Sequence, residues 1–238
     1  MDPEINLSGT TKSNYSIPIA IVLAGIIVAG ALFFSGRQPV PPKNTDKAIN
    51  QVIAVDINKV NIDNQPFIGN PNAPVVMAEW SDYQCPACQY ADQNLITPLM
   101  AEYIKTGKLK VVFKDFAFLG PDSQAISITA RAVWEAYPDK FYEWHKTFFD
   151  NQGQENTGWA TKTVIASLNA KVPGIDQAVI DALIAKNSAK YQAAIDADKA
   201  EGSRFGVNAT PSFIIGNKLQ VGVPQYATVK SLIDSLLK

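Results

Sequence analysis

The sequence is poor in the residue types that build metal centres and nucleic-acid interfaces. It contains 2 cysteines and 1 histidine, so it cannot supply a Cys₄ or Cys₂His₂ zinc site without a second chain. Its formal net charge is −1, which gives no basic excess for binding nucleic acid. Internal repeats and long low-complexity tracts are also missing from the sequence. These absences argue against a zinc protein, a nucleic-acid-binding protein and a repeat architecture.

What the sequence does contain is enough apolar material for a folded core. Hydrophobic residues make up 47% of its 238 residues, which is typical of a globular protein rather than a disordered one. The length suits one medium-sized domain with additional segments.

The two cysteines lie close together in the segment Cys85-Pro86-Ala87-Cys88. Random placement of two cysteines would give this spacing on the order of 1% of the time. A predicted buried strand, 73–79, precedes the segment, and a helix is predicted to begin at Cys85. Free N–H groups and the dipole at a helix N-terminus stabilise a thiolate, and Pro86 suits the first helical position. The pattern therefore predicts an exposed, low-pKa thiol and a more buried partner one turn away.

A structural disulfide is the main alternative for this pair. Such a bond would close a very small loop and stabilise the fold little. A chain without a third cysteine also suits disulfide exchange, because an extra thiol could be trapped in a wrong pairing.

An apolar run at the N-terminus, 17–34, is predicted to be a single-pass transmembrane anchor. Its 18 residues would span about 27 Å as a helix. A cleaved signal peptide is the alternative, with a small-residue site at 29–31. The predicted organisation is a tail at 1–16, the anchor, a linker at 35–59 and a folded domain at 60–238.

The charges that flank the apolar run give a weak signal about orientation. Lys12 is the one basic side chain before it, and three basic residues follow within 37–47. This count leans toward a cytoplasmic C-terminus. The redox chemistry argues for the opposite arrangement, because disulfides persist outside the cytoplasm. We therefore expect a cell-membrane protein whose catalytic domain is extracytoplasmic.

The folded part is predicted to be of the α/β class. The first strand is followed by a helix to about 105, which is expected to be kinked at Pro98 and to stop at Gly107. A second strand is predicted at 109–113, and a helical block broken at Pro138 is predicted at 121–205. A hairpin at 212–215 and 219–221 and a terminal helix at 226–237 complete the expected order. Within the block, separate helices are expected at 161–169, 176–186 and 188–203. The first two strands should be parallel.

Three separated segments of the chain resemble the DsbA-like branch of the thioredoxin superfamily, of the membrane-tethered DsbA and BdbD type. They are Gly69–Leu95 with the cysteine pair, Phe113–Gly120 followed by FYEWHKTFFDNQ, and Phe205–Gly216 with Thr-Pro-Ser-Phe. The resemblance covers about 60–238. It implies a thioredoxin fold with an inserted helical domain, about 121–187, preceded here by the N-terminal transmembrane helix.

The resemblance also implies roles for single residues. Cys85 would be the nucleophile and Cys88 the resolving thiol. Thr210-Pro211 would form a cis-proline loop that faces the disulfide and offers backbone groups to a bound peptide. Glu79 matches the buried acid of the family and would take the proton from Cys88.

Further substrate contacts are expected beside the cysteines, from Tyr83, Pro86 and Ala87. Ala87 departs from the family, because its strongest oxidases have histidine at this position. A less stabilised thiolate predicts a moderate oxidant. The single histidine, His145, lies on an apolar helical face with Trp144 and is expected to be a core residue rather than a catalyst. Packing is also expected for Trp80.

The expected function is a thiol–disulfide oxidoreductase that introduces disulfides into unfolded or folding proteins with cysteine pairs. The resemblance implies reoxidation by a membrane partner of the DsbB or VKOR type. No metal or organic cofactor is indicated. A reductase or isomerase of the same fold, and a peptide-binding chaperone module without enzymatic activity, are the alternatives.

Overall fold

The computed structural model describes residues 53–238, with the backbone alone for Ile53 and Ala54. The predicted tail and anchor and most of the predicted linker lie outside these described residues. Within 53–238, no helix is both long and apolar enough to cross a membrane.

Six strands form one mixed sheet in the order β1-β6-β5-β3-β4-β2. Their bounds are β1 Ile53–Ala54, β2 Phe67–Ile68, β3 Val75–Ser81, β4 Leu109–Asp115, β5 Ser212–Ile215 and β6 Lys218–Val221. Strands β3 and β4 are parallel, as predicted, and β5 is antiparallel to both β3 and β6. The predicted hairpin is confirmed as β5 and β6. Strand β2 was not predicted; it is two residues long and pairs with β4 at the sheet edge.

Helices cover the sheet and make up most of the chain between β4 and β5. Their bounds are α1 Pro86–Ala91, α2 Thr97–Leu99, α3 Pro121–Ala136, α4 Phe141–Asp150, α5 Lys162–Asn169, α6 Gln177–Arg204 and α7 Tyr226–Leu236. The break at Pro138 is confirmed by a short 3₁₀ turn, Pro138–Lys140. The expected pair of helices over 176–203 is wrong: α6 is one helix of 28 residues, since no proline or central glycine interrupts it.

The helix after the cysteines departs from regular α geometry on both sides of Pro98. Wider π-helical turns, Asp92–Ile96 and Met100–Ile104, flank α2. Proline has no N–H with which to bond the carbonyl of Asn94, so the regular ladder cannot pass through this point. The predicted irregularity is therefore observed as two widened turns. Gly107, with φ of +74°, follows the helix as its predicted stop.

The two faces of the sheet carry different cores because side chains alternate along a strand. Met77 and Glu79 of β3 face the larger core, which includes the aromatic side chains of α4. Ala78 and Trp80 face the smaller core. Trp80 is fully buried, as expected for packing, and its indole N–H donates to the Asp198 carbonyl oxygen at 3.0 Å.

A group of five charged side chains lies buried on the Trp80 side of the sheet. We call it the ion-pair cluster; its members are Lys114, Asp115, Arg131, Asp198 and Glu201. The Lys114 ammonium is 2.5 Å from Asp198 and 3.0 Å from Glu201. The Arg131 guanidinium bonds Asp115 at 2.7 Å and also contacts Asp198. These ion pairs connect α3 and α6 to β4.

Candidate active site

The cysteine pair lies where the loop after β3 becomes α1. Cys85 is the N-cap residue and Pro86 begins the helix, as the helix-start pattern predicts. The Cys88 N–H donates to the Cys85 carbonyl oxygen at 3.0 Å. Cys85 is 8% exposed and Cys88 is 0% exposed, while Pro86 and Ala87 are exposed. Cys85 is therefore the more accessible of the two cysteines.

The surroundings of Cys85 favour its thiolate. The pKa of Cys85 is lowered to about 6, and the largest cause is a hydrogen bond with the Cys88 thiol. Burial opposes this change, whereas Thr210 and the backbone N–H groups of Cys88 and Ala87 make smaller contributions that also lower the pKa. The Cys85 sulfur is 3.4 Å from the Thr210 carbonyl oxygen. The Thr210-Pro211 bond is cis, as the resemblance implied. Both residues are buried beside the dithiol.

The second thiol has the opposite character. Burial, followed by the hydrogen bond and the charge of Cys85, raises the pKa of Cys88 well above its ordinary value. Two thiols one helical turn apart thus differ strongly in acidity. This asymmetry suits a pair in which one sulfur attacks or is attacked and the other carries a proton.

Glu79 lies in the core beneath the cysteines, on β3, and is 1% exposed. Its Oε2 atom has no hydrogen-bond partner among residues 53–238. Burial, the charge of Asp92 and the charge of Cys85 raise the pKa of Glu79 to about 8. A carboxyl group that holds its proton near neutral pH is suited to acid–base work. Glu79 is thus buried, as the resemblance implied.

A second buried acid, Asp92, was missed by the sequence analysis. It is 1% exposed and follows Cys88 by four residues. Its Oδ1 accepts a hydrogen bond from the Tyr142 hydroxyl at 3.2 Å and lies 3.9 Å from His145 Nε2. Burial raises the pKa of Asp92 to about 6. The sequence could have predicted that Asp92 is buried, because residues four apart share a helical face and Cys88 was expected to point inward.

His145 is a core residue, as predicted. It is 1% exposed, and burial lowers its pKa to about 3, so the ring is neutral. Its Nδ1 lies 2.9 Å from the Tyr83 hydroxyl. Tyr83 is 5% exposed and its ring stacks on Phe149 with centroids 5.2 Å apart. The structure thus corrects the expectation that Tyr83 lines a substrate groove, because its side chain is held inside the aromatic core.

The two cysteines and three buried ionisable side chains near them form one group. We call it the reactive cluster; its members are Cys85, Cys88, Glu79, Asp92 and His145. Within the part of the chain that the structure describes, no group of three or more histidine, cysteine, aspartate or glutamate side chains is arranged to hold a metal ion.

Two polar side chains that the sequence analysis did not single out fix the loop before Cys85. The Asp82 carboxylate accepts from the Gln84 N–H at 2.8 Å, from the N–H groups of Phe118 and Leu119, and from the Ser123 hydroxyl at 2.6 Å. The Gln152 side chain donates to the carbonyl oxygens of Tyr83 and Cys85 at 2.9 and 3.1 Å. The cysteine loop is therefore bonded to neighbouring loops from two sides.

The fold and the site define a thioredoxin-like protein with a reactive dithiol at the N-terminus of its first helix. A family model described as Thioredoxin matches residues 61–235. The chain therefore belongs to the thioredoxin family, and within it the chain is a DsbA-like thiol–disulfide oxidoreductase.

Similar proteins are known from bacilli. The chain is 25% identical over 178 residues to "Disulfide bond formation protein D" of Bacillus subtilis, covering 75% of this chain and 79% of that one. It is 27% identical over 230 residues to the "Probable disulfide bond formation protein D" of Bacillus cereus, covering 95% and 99%. The crystal structure of oxidised BdbD from Bacillus subtilis matches with a TM-score of 0.70 and 22% identity, covering 78% of this chain and 98% of that one; at this identity it supports the fold.

Proposed function

We propose that this enzyme works as an oxidase, which forms disulfides in secreted or surface proteins through Cys85 and Cys88. The observation that carries the proposal is the opposite acidity of the two thiols. A Cys85 pKa of about 6 means that the reduced enzyme holds a stable thiolate at neutral pH. Stabilising the reduced form makes the disulfide form a better oxidant. The names of the bacillus relatives support the same direction.

In the proposed reaction, a substrate thiolate attacks the Cys85 sulfur of the oxidised enzyme. The Cys85–Cys88 bond breaks, a mixed disulfide forms at Cys85, and Cys88 leaves as a thiolate. A second substrate thiolate then attacks the substrate sulfur of the mixed disulfide. This step releases the oxidised substrate and returns Cys85 as a thiolate, so the substrate loses two electrons and the enzyme dithiol gains them.

The proposed roles of the neighbouring residues follow from their positions. Protonated Glu79 gives its proton to the Cys88 thiolate as that sulfur leaves, which avoids an uncompensated charge in the core. The cis-proline loop at Thr210-Pro211 lies against the Cys85 sulfur and offers its backbone to the substrate peptide. Exposed Pro86 and Ala87 border the same sulfur and complete the proposed contact surface.

We further propose that the apolar segment 17–34 anchors the enzyme in the cell membrane and that the catalytic domain is extracytoplasmic. An oxidase needs a compartment in which disulfides persist. It also needs an electron acceptor, and a membrane partner of the DsbB or VKOR type would reoxidise the dithiol. No metal or organic cofactor is needed for the exchange steps themselves.

The reduction potential of the purified full-length chain, equilibrated against glutathione buffers, tests the direction of the reaction. A value near or above about −180 mV supports an oxidase, because it lies with disulfide donors. A value near about −270 mV, the range of thioredoxin, would contradict the proposal and favour a reductase. In the Cys88→Ser variant, the reduced Cys85 thiolate should displace one glutathione from glutathione disulfide and keep the mixed disulfide, because no second enzyme thiol can resolve it; this identifies Cys85 as the exchanging sulfur.

A further inference from the structure

We propose that Asp92 is a second acid of the dithiol site, whose negative charge keeps the proton on Glu79 until the Cys88 sulfur takes it. Asp92 is a positioning residue in this scheme, because it acts on the proton through Glu79 and does not touch the substrate. The inference deepens the proposed function and rests on it for its biological meaning.

The geometry brings Asp92 to the inner side of the dithiol. It follows Cys88 by one helical turn, and its N–H donates to the Cys88 carbonyl oxygen. The His145 ring packs against both Asp92 and strand β4. Its Nε2 is 3.9 Å from Asp92, and its ring centroid is 4.4 Å from that of Phe113. Phe113 is the register partner of Glu79 in the parallel β3–β4 pair.

Three polar atoms in this region lack hydrogen-bond partners among the described residues. They are Glu79 Oε2, Asp92 Oδ2 and His145 Nε2, and all three residues are 1% exposed. Buried polar atoms of a stable fold are ordinarily paired, and unpaired ones mark sites of strain or chemistry. Two carboxyl groups in such surroundings cannot both ionise cheaply, because each charge opposes the other and burial opposes both.

The environment of Asp92 decides which of the two acids ionises first. Tyr142 donates a hydrogen bond to it and Lys146 adds a positive charge, which favour its carboxylate, whereas Asp150 on the same helix, α4, opposes it. The Oε2 atom of Glu79 has no hydrogen-bond partner among the described residues, and burial, followed by the charges of Asp92 and Cys85, disfavours the carboxylate of Glu79. His145 is neutral and adds no charge. With a pKa of about 6 for Asp92 and about 8 for Glu79, the pair at pH 7 holds one proton, on Glu79.

The consequence is a proton donor that is loaded before each reaction. When a thiolate attacks Cys85 and the disulfide opens, Cys88 leaves as a buried thiolate and takes the proton of Glu79. The pair is then left with two negative charges, which strongly favours recapture of a proton from solvent. Asp92 thus supplies the charge that resets Glu79 after each turnover.

The test uses cleavage of the oxidised full-length chain by dithiothreitol, with the thiols alkylated at timed intervals and counted by mass spectrometry. The rate is divided by the concentration of dithiothreitol thiolate at each pH. For the wild-type chain this normalised rate should fall as the pH rises through the ionisation of Glu79. In Asp92→Asn the fall should move to lower pH, because a like charge that holds the proton on Glu79 has been removed.

Matched variants separate this role from a structural one. Glu79→Gln should abolish the fall, and Glu143→Gln, which removes an exposed charge of α4 that is not among the influences on Asp92, should leave it at the wild-type pH. An Asp92→Asn profile that coincides with that of the wild type would show a purely structural residue and overturn the proposal. Carbon-13 NMR titration of wild-type side-chain carboxyls provides a test that needs no variant. The Glu79 signal should respond to the ionisation of Asp92 as well as to its own, and a single independent step contradicts the proposal.

These results are independent of the direction of the physiological reaction. Failure of the wild-type chain to oxidise a dithiol peptide would contradict the proposed function alone. The dithiothreitol assay would still report how the proton reaches Cys88.

Discussion

The reactive cluster and the ion-pair cluster both bury charged or ionisable side chains against the same sheet, but they satisfy them differently. Around Lys114, each acid meets a cation: Asp198 contacts both Lys114 and Arg131, and Asp115 meets Arg131. In the reactive cluster, no cation lies within ion-pair distance of Glu79 or Asp92 among the described residues; His145 is 3.9 Å from Asp92, but its ring is neutral.

The comparison shows that this fold places the buried groups that stabilise it and the buried groups proposed to transfer protons in two different clusters. Buried charges that are paired and hydrogen-bonded compensate one another and connect the elements that carry them. Buried acids without cations hold protons that can move, at a cost in folding free energy. Substitutions in the two clusters should therefore have effects of different kinds.

The largest expected effect is on turnover. Cys85→Ser should abolish disulfide exchange with a dithiol peptide, because no other described residue offers a thiolate at the surface of the site. Its midpoint of urea unfolding should stay close to that of the reduced wild-type chain. A peptide oxidation assay and a urea titration measure both quantities. Residual turnover above the uncatalysed rate would mean that the reaction does not depend on the Cys85 sulfur.

The largest effect on stability should come from the ion-pair cluster. Lys114→Met leaves Asp198 and Glu201 without the ammonium group that contacts them. Breaking a buried pair in this way costs about 3–5 kcal/mol of unfolding free energy. Urea denaturation measures the loss, and the Cys85 pKa should not change. Lys190→Met is the matched control, since Lys190 pairs with Glu135 at the surface and should hardly shift the midpoint.

The reactive cluster should show the opposite sign. The pKa of Glu79 rises from its ordinary 4.5 to about 8 on folding. The stability contributed by this group is therefore complete below about pH 4.5 and is lost as the pH rises to about 8. Glu79→Gln should consequently stabilise the reduced protein at pH 7.5 by about 2 to 4 kcal/mol, while slowing exchange. Urea titrations across this pH range should show the wild-type chain losing stability relative to the variant; parallel curves would contradict the assignment.

The smallest effect concerns the exposed residue between the cysteines. Ala87→His places an imidazole beside Cys85 and should lower the Cys85 pKa by about one unit. For a two-electron couple that shift raises the reduction potential by about 30 mV. Thiolate absorbance against pH and glutathione equilibration measure the two changes. Ala87→Gln is the neutral control, and an equal shift in it would show that charge is not the cause.

The sequence predicted the parts of the site that local patterns encode. The cysteine spacing, the helix start at Pro86 and the β5–β6 hairpin depend on residues close together in the chain, and the structure has them as expected. The cis bond before Pro211 came from the family resemblance and not from any pattern of residues. Glu79, six residues before Cys85, also came from the resemblance, and the structure places it inside β3, which continues to Ser81.

What the sequence could not predict depends on residues far apart. Lys114 and Asp198 are 84 positions apart in the chain, and no local pattern indicates that they meet. The same holds for Gln152, whose side chain reaches the carbonyl oxygen of Cys85. Tyr83 was misplaced because a tyrosine beside a reactive loop can point either way, and the aromatic side chains of α4 decided its direction.

The contrast in burial between the two cysteines has a consequence for regioselectivity. A disulfide between Cys85 and Cys88 would have two chemically different ends, and an external thiol would meet the Cys85 end, since Cys88 is 0% exposed. The leaving sulfur is then the same in every cycle, and so is the place where negative charge arises. Electrostatic tuning by a few fixed side chains can therefore act on each turnover, whichever protein presents the incoming thiol.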